Sequence, residues 1–136
     1  MRDVRMQKEI IVHANDRIGV LAEISRLLCD MGINLLSVRV RTEPDEERAA
    51  IHLVTTSQSY ATEALEAAGF PVDERDVVVV DLPHHPGFLC RVTEALARKG
   101  ISLHDLHVTV PEGSSMGTVV FACTNNHQAV QMLRGR

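Results

Sequence analysis

A chain of 136 residues, 45% hydrophobic and 24% charged, with no apolar run long enough to cross a bilayer, reads as a soluble globular protein. Its net charge of -4, single Tyr, three Phe and lack of Trp exclude a groove that tracks phosphates and stacks bases, so no nucleic-acid partner is expected. Three cysteines without a CxxC pair, and a start (Met1 to Glu9) too polar for a signal peptide, point to a reducing cytoplasm and to cysteines used as small apolar fillers.

Lys8 to Ala14 carries the β-branched run Ile10 to Val12 and reads as a strand. A polar turn follows, with Gly19 where the chain must bend tightly into a helix or let a ligand approach its backbone. From Arg17 or Ile18 to Met31, apolar residues recur at Leu21, Ile24, Leu27, Leu28 and Met31, a single helical face. Gly32 stops that helix as a C-cap, and Ile33 to Arg41 forms a second strand. The charged loop Thr42 to Arg48, with Asp45-Glu46-Glu47-Arg48 as a solvated tip, joins it to a third strand, Ala49 to Thr55. A second helix, Tyr60 to Ala68, ends at Gly69, and Pro71 to Asp76 is a candidate fourth strand.

The same order then returns: strand Val77 to Leu82, helix Pro86 to Lys99, strand Ile101 to Val110, loop Pro111 to Ser115, strand Gly117 to Cys123, and a helix to about Arg134 capped by Asn125 or Asn126. A shift of 68 positions lays Gly19 on Gly87, Leu21 on Leu89, Leu28 on Leu96, Gly32 on Gly100, Ile33 on Ile101, Leu35 on Leu103 and Val40 on Val108 without a gap, an internal repeat. The expected fold is therefore α+β: two ferredoxin-like βαββαβ units in tandem, 1–75 and 76–136, with antiparallel sheets and both helices of each unit on one face. The border is soft, because the segment from Gly69 to Asp76 can run straight into Val77 as one long strand shared by two sheets. At the 68-residue offset the second unit lacks its last strand. An open sheet edge templates pairing, so Asp3 to Gln7, Pro71 to Asp76 or a second chain is expected to fill it, and the small size of each unit favours a homodimer.

Strand, turn of the form Asp-Arg-x-Gly-x-Leu, helix, Gly-Ile-Asn and strand together resemble the ACT domain, a regulatory module attached to many enzymes of amino-acid metabolism. Asn15-Asp16-Arg17-Ile18-Gly19-Val20-Leu21 matches that turn, and His84-His85-Pro86-Gly87-Phe88-Leu89 matches its commoner Pro-Gly form. The resemblance covers nearly the whole chain as two copies. It implies a binding module without catalytic activity or cofactor, whose domains pair side by side and hold an amino acid or similar effector between the turn and a neighbouring unit, and which serves an unnamed client enzyme. The site it implies comprises Asn15, Asp16, Arg17, Ile18, Gly19, Val20, Leu21 and Asn34 in the first copy, and His85, Pro86, Gly87, Phe88, Leu89 and Ser102 in the second. A turn that presents backbone N–H groups at a helix start suits a carboxylate, and Asn15, Asp16 and Asn34 offer hydrogen bonds to an ammonium or amide. Two departures stand out: Ile18 replaces the usual proline, and His84-His85 replaces the usual acidic residue, so the two turns are not expected to bind one ligand equally.

Two other readings come from different classes. Seven histidines invite a transition-metal sensor, with Ser37, Arg39, Asp105 and His107 on the sheet face away from the helices and His13 and His52 joining them, and His104 on the helix side as a satisfied core residue. No Cys/His pair at ligand spacing supports this, so no metal site is assigned. A scaffold that pairs with a partner protein and binds no small molecule is the third. No Gly-x-Ser-x-Gly elbow or comparable nucleophile motif points to an enzyme.

Overall fold

The computed structural model describes residues 3–43, 47–83 and 86–135. The elements in chain order are β1 (Val4–Asn15), α1 (Val20–Asp30), β2 (Leu35–Glu43), β3 (Arg48–Thr55), α2 (Gln58–Ala67), β4 (Val72–Pro83), α3 (Phe88–Arg98), β5 (Leu103–Thr109), β6 (Met116–Cys123) and α4 (Asn126–Arg134). The candidate fourth strand and the strand after it are one continuous element, β4. Among the described residues no helix is long and apolar enough to cross a membrane.

Residues 8–75 form one compact unit. Its strands lie in the order β2-β3-β1-β4, the complete ferredoxin-like arrangement. β1 and β3 pair antiparallel with Ile10 opposite Leu53 and Val12 opposite Ile51, so period-two alternation puts these four on one face. There they meet Ile24 and Leu28 of α1 and Ala61 and Leu65 of α2, all fully buried. The 3.6-residue spacing of the helices and the two-residue spacing of the strands thus converge on one core, where each large side chain contributes about 1.5–3 kcal/mol. Val38 and Val40 of β2 lie opposite Leu53 and Ile51, on the helix face as expected, yet stay 41% and 48% exposed on the edge strand.

Asp76 onward forms the second unit, together with the residues up to Gln7. Its strand order is β1-β4-β6-β5. Val78, Val80, Val119 and Phe121 face Val92 and Leu96 of α3 and Ala129 and Leu133 of α4. Val4 belongs to this core and is 2% exposed, while Met6 packs against it. The start of β1 therefore occupies the place of the missing fourth strand. Asp81 N–H donates to Asp3 O at 3.0 Å, Arg5 Nη1 bonds Asp81 Oδ2 at 2.9 Å, and Arg134 Nε reaches Val4 O at 2.9 Å. In the first unit His13 N–H donates to Pro71 O at 2.9 Å, which is the Asp81–Asp3 bond displaced by 68 residues at each end. Of the three candidates to fill the open edge, the N-terminal segment does so. The alternation of Val4 and Met6 with Arg5 and Gln7 is the reason, since it turns two apolar side chains toward one core.

A β-bulge interrupts the register between Leu35 and Ser37, and again between Leu103 and Asp105. One extra residue shifts strand parity. His104, expected on the core side, falls at the second bulge and is exposed, and Leu36 at the first is 54% exposed. Beyond the bulges the expected faces hold: Arg39 lies opposite His52, and His107 opposite Val120, on the side away from the helices.

Candidate functional site

β1 ends where Asn15 pairs with Arg48 at the start of β3 and Asp16 N–H donates to Glu47 O at 2.8 Å. The chain then turns through Gly19 at φ 86°, a left-handed conformation that costs an L-residue about 1–2 kcal/mol, and α1 begins with Val20 buried in the core. Val20 N–H bonds Arg17 O and Glu23 N–H bonds Gly19 O. Ile18 is fully exposed at the apex. No side chain caps the helix start, so amide donors of its first turn remain for an outside acceptor.

Beside this turn lies a hollow of about 510 Å³, walled by His13, Ala14 and Asn15 of β1, by Arg17 and Val20, by Arg48, and by Gly69-Phe70-Pro71 after α2. Its charged walls are cationic. The Arg17 guanidinium is held by Glu23, and His13 Nε2 lies 2.7 Å from Asp73 Oδ2. The Arg48 side chain has no hydrogen bond or ion pair among the described residues. The Arg48 guanidinium, the neighbouring Asn15 amide and the apolar side chains of Val20 and Phe70 thus lie together on the wall of one hollow.

Of the residues expected from sequence, Asn15, Arg17 and Val20 line this hollow, while Asp16, Ile18, Gly19 and Leu21 shape the turn without lining it. Asn34 lies at the other end of the sheet. It exchanges bonds with Thr56, N–H to Oγ1 at 3.0 Å and O from N–H at 3.0 Å, next to the Leu35–Thr55 pair. Asn15 pairs with Arg48 seven residues away along β3, about 23 Å at strand rise. Ser102 sits likewise against Thr124, remote from the second turn. Both therefore tie a helix exit to a strand and do not face the turns. His13, Arg48, Phe70 and Pro71 were not anticipated. The signal for Arg48 was the topology itself, since β3 beside β1 puts the end of the charged loop opposite Asn15.

The second turn repeats the geometry with different chemistry. Gly87 has φ 92° and α3 starts at Phe88, while His85 lies outside the described residues. Pro86, Gly87, Phe88 and Leu89 border a hollow of about 450 Å³, completed by Leu82, Pro83 and Cys90 and by Val108, Val110, Gly117 and Val119. Among the described residues none of the lining side chains is charged. At the 68-residue offset Asn15 becomes Pro83 and Arg48 becomes Met116, which removes one amide and one guanidinium. The Arg91 guanidinium lies 5.9 Å above the Phe88 ring.

Away from the turns, on the face of β1 opposite Ile10 and Val12, Glu9 is 1% exposed. Its Oε1 accepts from Arg75 Nε at 2.7 Å and lies 2.8 Å from His52 Nδ1, with Arg39 Nη2 at 3.7 Å. Burial pushes this carboxyl's pKa up, but the His52 hydrogen bond and the Arg75 charge outweigh it and hold the group below the usual carboxylate range. The histidines His52 and His13 are thus each engaged by a carboxylate. Among the described residues no three His, Cys, Asp or Glu side chains converge as a metal site would require.

Comparison with known proteins agrees with this geometry. The ACT domain family model matches residues 8–67 and 77–134. Protein BT0572 from Bacteroides thetaiotaomicron superposes with a TM-score of 0.88 at 20% identity, covering 97% of this chain and 89% of that one. The ligand-free regulatory subunit of aspartate kinase from Thermus thermophilus gives 0.66 at 16% identity, and that from Thermus flavus 0.61 at 17%, each covering 97% of this chain and 95% of its own. No curated protein matches the chain.

Proposed function

Since the chain belongs to the ACT domain family and carries two copies, making it a small-molecule-binding regulatory protein and not a catalyst, we propose that the hollow at the Gly19 turn seats the carboxylate of an amino acid. Arg48 is its anion partner, Asn15 a hydrogen-bonding neighbour, and Val20 and Phe70 the wall against the ligand's body. The observation that carries this is the Arg48 guanidinium, unpaired among the described residues and opening on the hollow. The turn residues Asp16 to Gly19 then act by shaping the loop and by presenting backbone donors.

Isothermal titration against the common amino acids tests the reading. At least one binds, and Arg48→Met, which installs the second repeat's residue, weakens it by roughly ten- to a hundredfold, the value of a charged hydrogen bond. The variant's own melting temperature stays put, because Arg48 is exposed. Binding unaffected by the substitution sinks the assignment.

Regulatory subunits of aspartate kinase share the fold, and we propose a comparable division of labour here, with the client enzyme on a separate chain and both in a reducing cytoplasm, which the three free thiols support. We also propose a homodimer. Support comes from β2, an edge strand with Leu36, Val38 and Val40 substantially exposed. Light scattering of the wild type gives twice the chain mass and of Val38→Asp the single mass; a wild-type monomer at high micromolar concentration removes the proposal.

A further inference from the structure

The two helix layers carry opposite charge, and we infer that the layer of α1 and α2 in one chain docks on the layer of α3 and α4 in a second copy. At the 68-residue offset every charged residue of α1 is inverted in α3: Glu23 becomes Arg91, Arg26 becomes Glu94 and Asp30 becomes Arg98. Glu66 of α2 likewise becomes Arg134 of α4. Counted with the C-cap residues, the first layer has four acidic residues to one basic and the second four basic to one acidic, with His127 neutral. Two surfaces of one repeated fold with opposite charge match each other, whereas like layers of two copies repel. The intrahelical pairs Arg26–Asp30 at 3.1 Å and Arg98–Glu94 at 3.6 Å join exposed side chains, so they hold these charges only weakly against an outside partner.

The first layer also has an apolar centre. Between α1 and α2 runs an open groove whose lining includes Leu27, Met31, Tyr60, Ala64 and Ala67, together with Glu63. Met31 is 48% and Tyr60 65% exposed, and the Glu63 side chain has no hydrogen bond or ion pair among the described residues. At the equivalent positions the second layer has Lys99 for Met31, Gln128 for Tyr60 and Gln131 for Glu63. Arg98 and Lys99 are exposed. Their hydrocarbon stems suit Leu27 and Met31, and their cationic heads suit the Tyr60 ring and the Glu63 carboxylate. The small alanines leave room for such long side chains to enter. An open groove between two helices offers less than a standard interface, so the dissociation constant is on the order of a millimolar at physiological salt and falls as salt is withdrawn. The contact uses neither the Gly19 and Gly87 turns nor β2, so it is independent of what those bind.

The experiment follows backbone amide shifts and sedimentation of the full chain as its concentration is raised, in the wild type and in Val38→Asp, whose β2 edge is blocked. At about 10 mM salt, where charges act over about 30 Å, rising concentration shifts the amides of Leu27 to Met31, Tyr60 to Ala68, Arg98 and Lys99 in both proteins, and at about 1 M, where they act over about 3 Å, the shifts are lost. Asp30→Lys with Glu63→Lys, and separately Arg98→Glu with Lys99→Glu, each weaken the association about tenfold or more. All four positions are exposed, and melting temperatures confirm that both double variants are folded. An equimolar mixture of the two restores association, since one retains an intact second layer and the other an intact first. Association unchanged in either double variant, or no recovery on mixing, overturns the inference. So does a wild type whose amides stay fixed up to millimolar concentration, and if a lysine- and leucine-rich helical peptide then shifts Leu27 to Ala68, the occupant of the groove is a foreign basic helix and not a second copy.

Discussion

A chain shortened to begin at Lys8 loses most of the stability of the unit formed by Asp76 onward and little of the other. The deletion removes Val4 from the Phe121 core, uncovers the β4 edge, breaks the Arg5–Asp81 pair and strips Arg134 of its acceptor. Burial of Val4 and Met6 and the lost edge bonds amount to about 3–5 kcal/mol, a large share of what a small domain possesses. Amide exchange reads the outcome. Protection falls at Val78 to Leu82 and along α4, and persists in the β1–β3 ladder from Ile10 to Val12. Unchanged protection at Val78 to Leu82 would show that the segment merely lies along the edge without supporting it.

The second large effect concerns Glu9. Glu9→Gln keeps the size of the side chain but removes the buried carboxylate that Arg75 Nε and His52 Nδ1 contact, which costs about 3 kcal/mol at pH 7. Because the folded-state pKa of Glu9 lies below its ordinary value of 4.5, the wild type has this contribution in full above pH 4.5 and loses it as pH falls further, through the folded pKa. Urea denaturation between pH 7 and pH 3 therefore brings the two proteins together at the acid end. Parallel curves over the whole range would exclude the carboxylate as the source.

The repeat made much of this fold legible. Two glycines per copy at one spacing, and apolar stripes of the right period between them, determine strand, turn, helix and strand without any coordinates. What escaped the pattern has physical reasons. A bulge inserts one residue, and nothing in Leu35-Leu36-Ser37 or Leu103-His104-Asp105 marks which residue is extra, so His104, expected as a core residue, is exposed instead. Val4 and Met6 span only two alternations, too few to separate a strand from a tail. In the candidate site, the turn residues were readable because they are contiguous, whereas Arg48 and Phe70 arrive from distant segments and become neighbours only once β3 and β4 flank β1. The contrast between the two hollows, by comparison, was already written in the substitutions Asn15 to Pro83 and Arg48 to Met116.

That β1 gives its first residues to one unit and its later ones to the other redraws the borders of the transplantable module. Cutting between the sequence repeats near position 75 yields a first fragment with a superfluous leader and a second with an open flank. The portable piece is 8–75. The other becomes portable only as a circular permutant, in which the peptide Asp3–Gln7 is rejoined behind Gly135, close to where Arg134 already touches Val4. Sequence repeat and folding module in this chain are thus out of phase by one strand, and any grafting, shuffling or fusion that respects the first at the expense of the second will separate a core from its own edge.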